Sequence, residues 1–469
     1  MHEVLIIGAG EAGKMVAREI LDSSKLSKNY HLVGFLDDDK SKKSLLGVPV
    51  LGSLNQIHTF TSSLKIDLVI IAIPSAEKEV ITKLMALLSN SKVEIKIVPG
   101  IHEIIQGSVS WKQIRPIKPE DLLGREEVGF DEKELENFYL DKTIFITGAG
   151  GSIGSEIVRQ ILKLPIKKIF GMGRGENSIH QLLIQHSNEP RFNYIIGDSS
   201  DDHKIKHELL KVKPHIVFHA AAHKHVPLME EYPEEAVKNN VLGSYATAKA
   251  ALEAKVQTFV FVSTDKAVNP SSIMGCTKRL AEKIILSLNQ EKQTRFLCTR
   301  FGNVLGSRGS VIPTFLAQIK KGGPITVTHP DMERFFMSIP EAARLVVKSG
   351  CTQKGDIFVL NMGKAVKILD LAKNLIRLSG HEEEDIPITF SGVRKGEKIY
   401  EELFSNKKNI KASEFDKLMY LEKSPEIFDL KELEEIKKAF LNLCANFDKK
   451  GIYKLLEHYV PEFSPNKNK

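Results

Sequence analysis

The chain has 469 residues, 66 of them basic and 59 acidic, a net charge of +7 and a hydrophobic share of 42%. That length exceeds one average domain and points to two or three, with apolar content sufficient for large cores. Charges of both signs are interspersed except in the tail 466–469, which argues against a nucleic-acid-binding surface, where cations cluster.

The four cysteines, Cys276, Cys298, Cys351 and Cys444, form no CxxC pair and are widely spread. That spacing disfavours a disulfide framework or a zinc site, so no metal is expected and the thiols read as those of a reduced, cytoplasmic protein. The chain runs from Met1 straight into a strand-like segment, with no signal-peptide pattern. Its most apolar run, 66–74, is far too short to span a bilayer. The expected location is the cytoplasm, with the inner face of the membrane as its other permitted place.

Residues 4–7 form a short apolar run followed by Gly8-Ala9-Gly10-Glu11-Ala12-Gly13, then a helical periodicity in Val16, Ile20 and Leu21. Strand, glycine turn and helix in that order are the context that lifts GxGxxG above chance. Segments 32–36, 68–73 and 94–98 read as buried parallel strands of the same domain. Residues 115–140 hold prolines and many charges and read as a linker ending in a short helix.

The same opening returns at 143–146, an apolar run leading into Thr147-Gly148-Ala149-Gly150-Gly151-Ser152-Ile153-Gly154, with Ile157, Val158, Ile161 and Leu162 in helical register. Strands are expected at 168–172, 194–196, 215–219, 258–263 and 295–299, with helices between them that include 234–254 and 274–289. Beyond Gly302 the pattern becomes irregular and reads as a substrate-binding subdomain over the carboxyl ends of the strands. The stretch 430–458 reads as an amphipathic packing helix. The expected fold is α/β: two tandem Rossmann-type domains with parallel sheets, the second carrying a C-terminal substrate-binding subdomain. The expected boundaries are 1–115 for the first Rossmann domain, 116–140 for the linker, 141–302 for the catalytic NAD(P)-binding domain, and 303–469 for the subdomain and C-terminal helices.

In the second glycine loop, Gly148 permits the tight turn, Gly151 lets the backbone approach a pyrophosphate, and Gly154 lets the helix pack on the strand. Ser152 and Ile153 open that helix, whose free N–H groups face the phosphates. Asp198 closes the third strand, where its side chain can accept from the adenine amino group. Ala220 and Ala221 leave room at the end of the fourth, and Asn240 can brace the sheet. An NAD enzyme often carries an acidic residue at the end of the second strand to hold the ribose 2′-hydroxyl. Here that end reads Gly171-Met172-Gly173-Arg174-Gly175-Glu176. Arg174 suits a 2′-phosphate or stacking on adenine. The reading leans to NADP over NAD, tightly bound.

The fifth strand runs into Ser263-Thr264-Asp265-Lys266, followed by Asn269-Pro270 and a helix opening at Met274-Gly275-Cys276-Thr277-Lys278. Met274 and Lys278, four apart, share a helix face. These stretches resemble the extended short-chain dehydrogenases/reductases, and more narrowly the bacterial polysaccharide-biosynthesis UDP-N-acetylglucosamine 4,6-dehydratases. The matching blocks are TGAGGSIGSE from Thr147, HAAAHKHVPLME from His219, STDKAVNPSSIMGCTKR from Ser263, RFGNVLGSRGSVIP from Arg300 and RKGEKIYEEL from Arg394. The first domain also resembles the amino-terminal domain of the longer family members. The superfamily's usual Tyr is Met274 here, which is similar to the Met-containing subgroup. A thioether is no proton base at neutral pH, so the base for the sugar 4-hydroxyl stays open.

The resemblance implies 4,6-dehydration, a 2-acetamido-2,6-dideoxy-4-keto product, and retention at C5, in surface polysaccharide or glycan biosynthesis. It implies that Asp265 protonates the leaving 6-hydroxyl, Lys266 removes the C5 proton, Thr264 bonds the 4-hydroxyl, and Lys278 holds the nicotinamide ribose. A basic Lys266 needs a lowered pKa, which burial near Lys278 and the cofactor would provide. Lys224, Arg300, Arg308, Arg334 and Arg394 are the candidate cations for the UDP-sugar diphosphate, and Asn303 and Glu397 the polar contacts. Relatives with transmembrane helices before the first Rossmann domain are implied too. This chain shows none, which suits a form without them or a shortened chain. A homo-oligomer is expected. Two other readings stay open. One is a nucleotide-sugar epimerase or oxidoreductase, which would normally need the Tyr and would lack Asp-Lys after Thr264. The other is a non-catalytic nucleotide-sensing scaffold, better suited to the first domain, where Gly8, Gly10 and Gly13 are followed by Asp37.

Overall fold

The computed structural model describes residues 1–74, 76, 78–88, 91, 93–98, 111, 114–117, 121, 132–405, 409–422 and 426–465. Most of the expected linker (118–120 and 122–131) and the tail 466–469 lie outside the described residues. The chain forms two compact units, one of 1–129, 309–327 and 368–390, the other of 130–308, 328–367 and 391–469.

In the first unit the strands His2–Ile7, Tyr30–Leu36, Leu68–Ile71 and Glu94–Ile97 pair in parallel. Val4 to Ile7 and Leu68 to Ile71 are almost fully buried, the continuous apolar run of a sheet covered on both faces. Beyond Tyr30–Leu36, a hairpin of Ser44–Leu45 and Val48–Gly52 extends one edge, and Arg115–Pro116 closes the other.

In the second unit the sheet order is Phe192–Ile196, Lys168–Gly173, Thr143–Thr147, Ile216–His219, Thr258–Val262, Arg295–Arg300, Ile357–Leu360, Leu418–Leu421 and Ile410–Ala412. The first seven of these run parallel, Leu418–Leu421 pairs antiparallel to Ile357–Leu360, and Ile410–Ala412 pairs antiparallel to Leu418–Leu421. The expected α/β Rossmann architecture is present. Strand order reverses between Thr143–Thr147 and Ile216–His219, and open sheets of this kind bind ligands at that crevice.

The region past Gly302 is more regular than its sequence pattern suggests. Ile357–Leu360, four wholly buried residues, joins the main sheet, but four apolar residues are too few to show a period. The helix expected at 234–254 is interrupted: Pro233–Ala236 and Gly243–Glu253 flank a π-helical turn at Val237–Leu242. Such turns re-aim side chains, and this one carries Asn239 and Asn240. The stretch 430–458 is two helices, Leu430–Ala445 and Lys449–Tyr459, broken where Phe447 takes a positive φ of 52°. The four cysteines are buried and unpaired. Among the described residues no helix is long and apolar enough to cross a membrane.

Candidate active site

A cleft of about 310 Å³ opens at the switch point of the second unit, lined by Gly148, Gly151, Arg174, Asp198, Ala220 and Ala221 among others. Its glycines are sterically required. Gly148 has φ +67°, and a Cβ there would lie 2.6 Å from the Ala221 nitrogen. A Cβ on Gly154 would lie 2.2 Å from the Gly148 carbonyl oxygen. Gly151 caps the helix Ser152–Ile161 without a side chain, so the first-turn N–H groups of Ser152 and Ile153 stand at the cleft with no capping side chain. This cradle, with an alanine-lined end and an anion-seeking helix terminus, fits a dinucleotide.

Arg174 is exposed, and its guanidinium lies 3.5 Å from Asp198 Oδ2. Asp198 Oδ1 accepts from the Ser200 backbone and hydroxyl, both at 2.9 Å. Partial burial pushes the Asp198 carboxyl up, but the Ser200 donors and Arg174 outweigh it, so the net shift is downward and the group stays ionised. Asn240 does brace the sheet end. Its Oδ1 accepts from the His223 N–H at 2.8 Å, and its Nδ2 donates to the His223 carbonyl at 3.0 Å and to Thr277 Oγ1 at 3.2 Å.

Past the strand Thr258–Val262, Thr264 caps the short turn Asp265–Ala267. Its hydroxyl accepts from the Lys266 N–H at 3.4 Å and donates to Asp265 Oδ1 at 2.8 Å. Lys266 Nζ donates to Asp265 Oδ1 at 3.0 Å and to Asn303 Oδ1 at 3.2 Å, and lies 3.6 Å from Glu401 Oε1. Thr264, Asp265, Lys266 and Asn303 therefore meet in one cluster. Asp265 is wholly buried, and its Oδ2, like Glu401 Oε2, has no hydrogen-bond partner among the described residues. A cavity of about 80 Å³ adjoins Lys266 and is lined also by Ser272, Arg334, Glu397 and Glu401.

The charge state of Lys266 differs from the expectation. Burial pulls its amine down, but Asp265 and then Glu401 outweigh burial, and the net shift is upward. The lysine that is pulled down is Lys278, to about 7, because burial dominates its surroundings. Lys278 Nζ donates to the Val262 carbonyl at 2.7 Å and sits 3.7 Å from the centre of the Phe261 ring. Met274 is 3% exposed within the apolar core and has no part in this polar cluster.

The expected diphosphate cations are dispersed. Arg300 does not face the cleft: its guanidinium grips Glu282, with bonds of 2.7 and 2.5 Å, inside the fold. Arg308 donates to the Gly150 carbonyl, and its N–H lies 3.3 Å from Ser152 Oγ, so it stands on the cofactor loop. Arg334 donates to the carbonyls of Glu333, Lys398 and Ile399 and braces the segment that carries Glu401. Lys224 Nζ lies 3.3 Å from Ser307 Oγ, and burial, then Arg308 and Lys266, push its amine down. Arg394 is exposed on the segment leading to Glu397.

Two residues of this site went unread in the sequence. Glu401 lies inside the RKGEKIYEEL block, where an acidic run reads as a solvated face. His219 is wholly buried, with Nδ1 2.6 Å from Thr147 Oγ1 and Nε2 3.0 Å from Ser244 Oγ. Burial pulls it to about 3, so it is neutral, and it stacks on Phe261 beneath the Lys278 amine. Its place in the HAAAH run was the available signal.

A parallel sheet in this strand order, a glycine loop at its switch point and a lysine on the helix after the fifth strand define a Rossmann dinucleotide-binding protein of the short-chain dehydrogenase/reductase type. Residues 144–423 match the family described as polysaccharide biosynthesis protein, and residues 1–99 match a CoA-binding domain. The chain belongs to that polysaccharide biosynthesis protein family. It is 50% identical over 417 residues to the probable polysaccharide biosynthesis protein EpsC of Bacillus subtilis, covering 87% of this chain and 69% of that one. It is 45% identical over 460 residues to the capsular polysaccharide biosynthesis protein CapD of Staphylococcus aureus, covering 96% and 76%. The solved structure of Pen from Bacillus thuringiensis is similar at a TM-score of 0.57 and 32% identity, over 65% of this chain and 98% of that one.

Proposed function

We propose that the chain is an NAD(P)-dependent UDP-N-acetylglucosamine 4,6-dehydratase that forms a UDP-2-acetamido-2,6-dideoxy-4-keto hexose with retention at C5 for polysaccharide biosynthesis. The observation that carries this reading is the Thr264–Asp265–Lys266 cluster, assembled at the end of the strand Thr258–Val262 beside Lys278. Oxidation at C4 alone, as in an epimerase, moves only the 4-hydroxyl proton, whereas dehydration needs in addition a base for C5 and an acid for O6, the two roles that an Asp-Lys pair supplies.

A nicotinamide dinucleotide bound along the glycine loop supplies the hydride acceptor, from C4 and back to C6. Lys278 positions its ribose, and Thr264 holds the sugar 4-hydroxyl. Lys266 must be neutral to take the C5 proton, and Asp265 must be protonated to release the 6-hydroxyl. One transfer across their 3.0 Å hydrogen bond creates both states together: the ammonium gives its proton to the carboxylate. Lys266 then receives the C5 proton, Asp265 gives its own to O6 and water leaves, which restores the ion pair; as C6 is reduced the Lys266 ammonium protonates C5, and a proton from water, equal to the one the 4-hydroxyl gives up, recharges the amine. Lys224, Arg308, Arg394 and Glu397 remain candidates for the UDP moiety. Arg174 at the adenosine end supports the lean to NADP.

Incubation with UDP-N-acetylglucosamine in deuterated water, followed by NMR, tests the assignment. The expected product has lost one water, carries a 4-keto group and is deuterated at C5. Recovery of only a C4 epimer would overturn it.

A further inference from the structure

The first unit has its own cleft, of about 760 Å³, at the carboxyl ends of His2–Ile7 and Tyr30–Leu36. Three features of it are chemically distinct. The first is a loop that only glycine fits: Gly8 has φ +97°, a Cβ on it would lie 2.9 Å from the Ala72 carbonyl oxygen, and a Cβ on Gly13 would lie 2.0 Å from the Gly8 carbonyl oxygen. Gly10 differs from both. It is the N-cap of the helix Glu11–Asp22 at φ −94°, with no side-chain cap, and a Cβ there would meet nothing within 4 Å. It therefore faces open space at an uncapped helix terminus, where a diphosphate is favoured.

The second feature is an apolar wall that includes Leu54, Ile73, Pro74 and Val80, suited to the flat face of a base. The third is Asp37, directly after Tyr30–Leu36. Its Oδ2 accepts from the Ala9 N–H at 2.7 Å and from Lys42 Nζ at 3.0 Å, and its Oδ1 accepts from the Asp39 N–H at 2.9 Å. These contacts fix the carboxylate against the loop, at the place where such sheets hold a ribose diol. Asp38 also lines the cleft.

We propose that this cleft is a second nucleotide site, which binds without turnover and selects a nucleoside diphosphate compound whose ribose hydroxyls carry no phosphate. Asp37 and Asp38 repel a phosphate monoester on the ribose, and the Lys42 amine is already paired with Asp37. Coenzyme A, whose ribose bears a 3′-phosphate, is thereby disfavoured, although residues 1–99 match a CoA-binding domain. Among the described residues that line the cleft, none is a Ser, Thr, Cys, His or Tyr that would give a nucleophile or a neutral proton carrier.

The test uses the full chain and the variant Gly10→Asp. Aspartate fits the open space and is a favoured N-cap, so the variant should fold as well as the parent. Its carboxylate takes the diphosphate position and repels the ligand. Bound ADP-ribose is counted per chain by equilibrium dialysis, after any co-purified nucleotide has been removed. The parent should bind one equivalent more than Gly10→Asp, and coenzyme A should compete for that equivalent at least about tenfold more weakly than ADP-ribose does. In Asp37→Asn the gap between the two ligands should narrow. Equal stoichiometry in parent and Gly10→Asp overturns the site, and coenzyme A binding as well as ADP-ribose overturns its selectivity. Failure of the dehydratase reading looks different: it removes turnover on UDP-N-acetylglucosamine and leaves the difference between parent and Gly10→Asp untouched.

Discussion

Glu401 Oε1 lies 3.6 Å from Lys266 Nζ, so the amine that bonds Asp265 faces two carboxylates rather than one. Together they hold its pKa above the ordinary lysine value in spite of burial. The pair works with one shared proton, so turnover falls where pH rises through the Lys266 pKa and that proton is lost. Removing the Glu401 charge lowers that pKa. Glu401→Gln should therefore move the alkaline limb of the kcat profile to lower pH, with KM little changed. An alkaline limb that stays in place or moves upward shows that Glu401 does not govern Lys266.

Asp265 and Lys266 are assigned different protons, and deuterium separates them. In Lys266→Ala the ketone forms but the C5 proton has no base, so reduced nicotinamide should appear on mixing with little deuterium at C5. In Asp265→Asn the main charge that holds the Lys266 amine up is gone, so burial favours its neutral, basic form, while the 6-hydroxyl cannot leave. Recovered substrate should then carry deuterium at C5 without 4-keto-6-deoxy product. The substitution is nearly isosteric. The opposite pattern would exchange the two roles, and near-normal turnover in both variants would end the dehydratase reading.

What was legible in the sequence is what depends on neighbours along the chain. Gly148, Gly151 and Gly154 belong to one turn, and the Thr264–Lys266 contacts span three residues, so their spacing already carries the geometry. Arg300 was misread because its partner Glu282 comes from the helix Ile273–Ser287, and the pair exists only once that helix packs on the sheet. The same holds for Lys266. Its protonation turns on whether two carboxylates outweigh burial, and the second of them, Glu401, is distant in sequence. The π-helical turn at Val237–Leu242 leaves no trace in an apolar period either.

Lys278 should cost stability in the ligand-free protein. Its folded pKa of about 7 lies below the ordinary 10.5, so the unfolded chain binds the extra proton between those values. The penalty is therefore full below about pH 7 and fades as pH rises toward 10.5, with an upper magnitude of about 5 kcal/mol. Lys278→Met removes it but leaves the Val262 carbonyl without its donor, at a cost of ~1–3 kcal/mol. The expected net effect at pH 6 to 7 is a gain of about 2 kcal/mol, visible as a higher Tm, which vanishes near pH 10 while turnover is lost. A gain independent of pH would mean that the ammonium is not the source of the cost.

Arg174 and Asp198 both line the cleft of the second unit and lie 3.5 Å apart, where the proposed function places the adenosine. Because Arg174 is exposed and its contact with Asp198 is long, its removal should leave the fold intact. If it holds a 2′-phosphate, Arg174→Ala should weaken NADP by about 1–2 kcal/mol, roughly five- to thirtyfold, and NAD much less. Equal loss of both cofactors would assign Arg174 to adenine stacking, and no loss of either would leave it outside the site.

Met274 closes the argument about the missing tyrosine. Its side chain is 3% exposed and packs with the core that includes Ile273, Cys276 and Leu280, whereas the polar cluster gathers around Thr264, Asp265 and Lys266. Leucine nearly conserves its volume, so Met274→Leu should cost less than ~1.5 kcal/mol of stability and keep substantial activity. Lys278→Ala, one helical turn away, should lose most activity because the nicotinamide ribose loses its anchor. Both variants are compared by turnover and by the dinucleotide they retain. If Met274→Leu were as inactive as Lys278→Ala while retaining its dinucleotide, the thioether itself would take part in the reaction, and the proton for the 4-hydroxyl would have to be sought at position 274 after all.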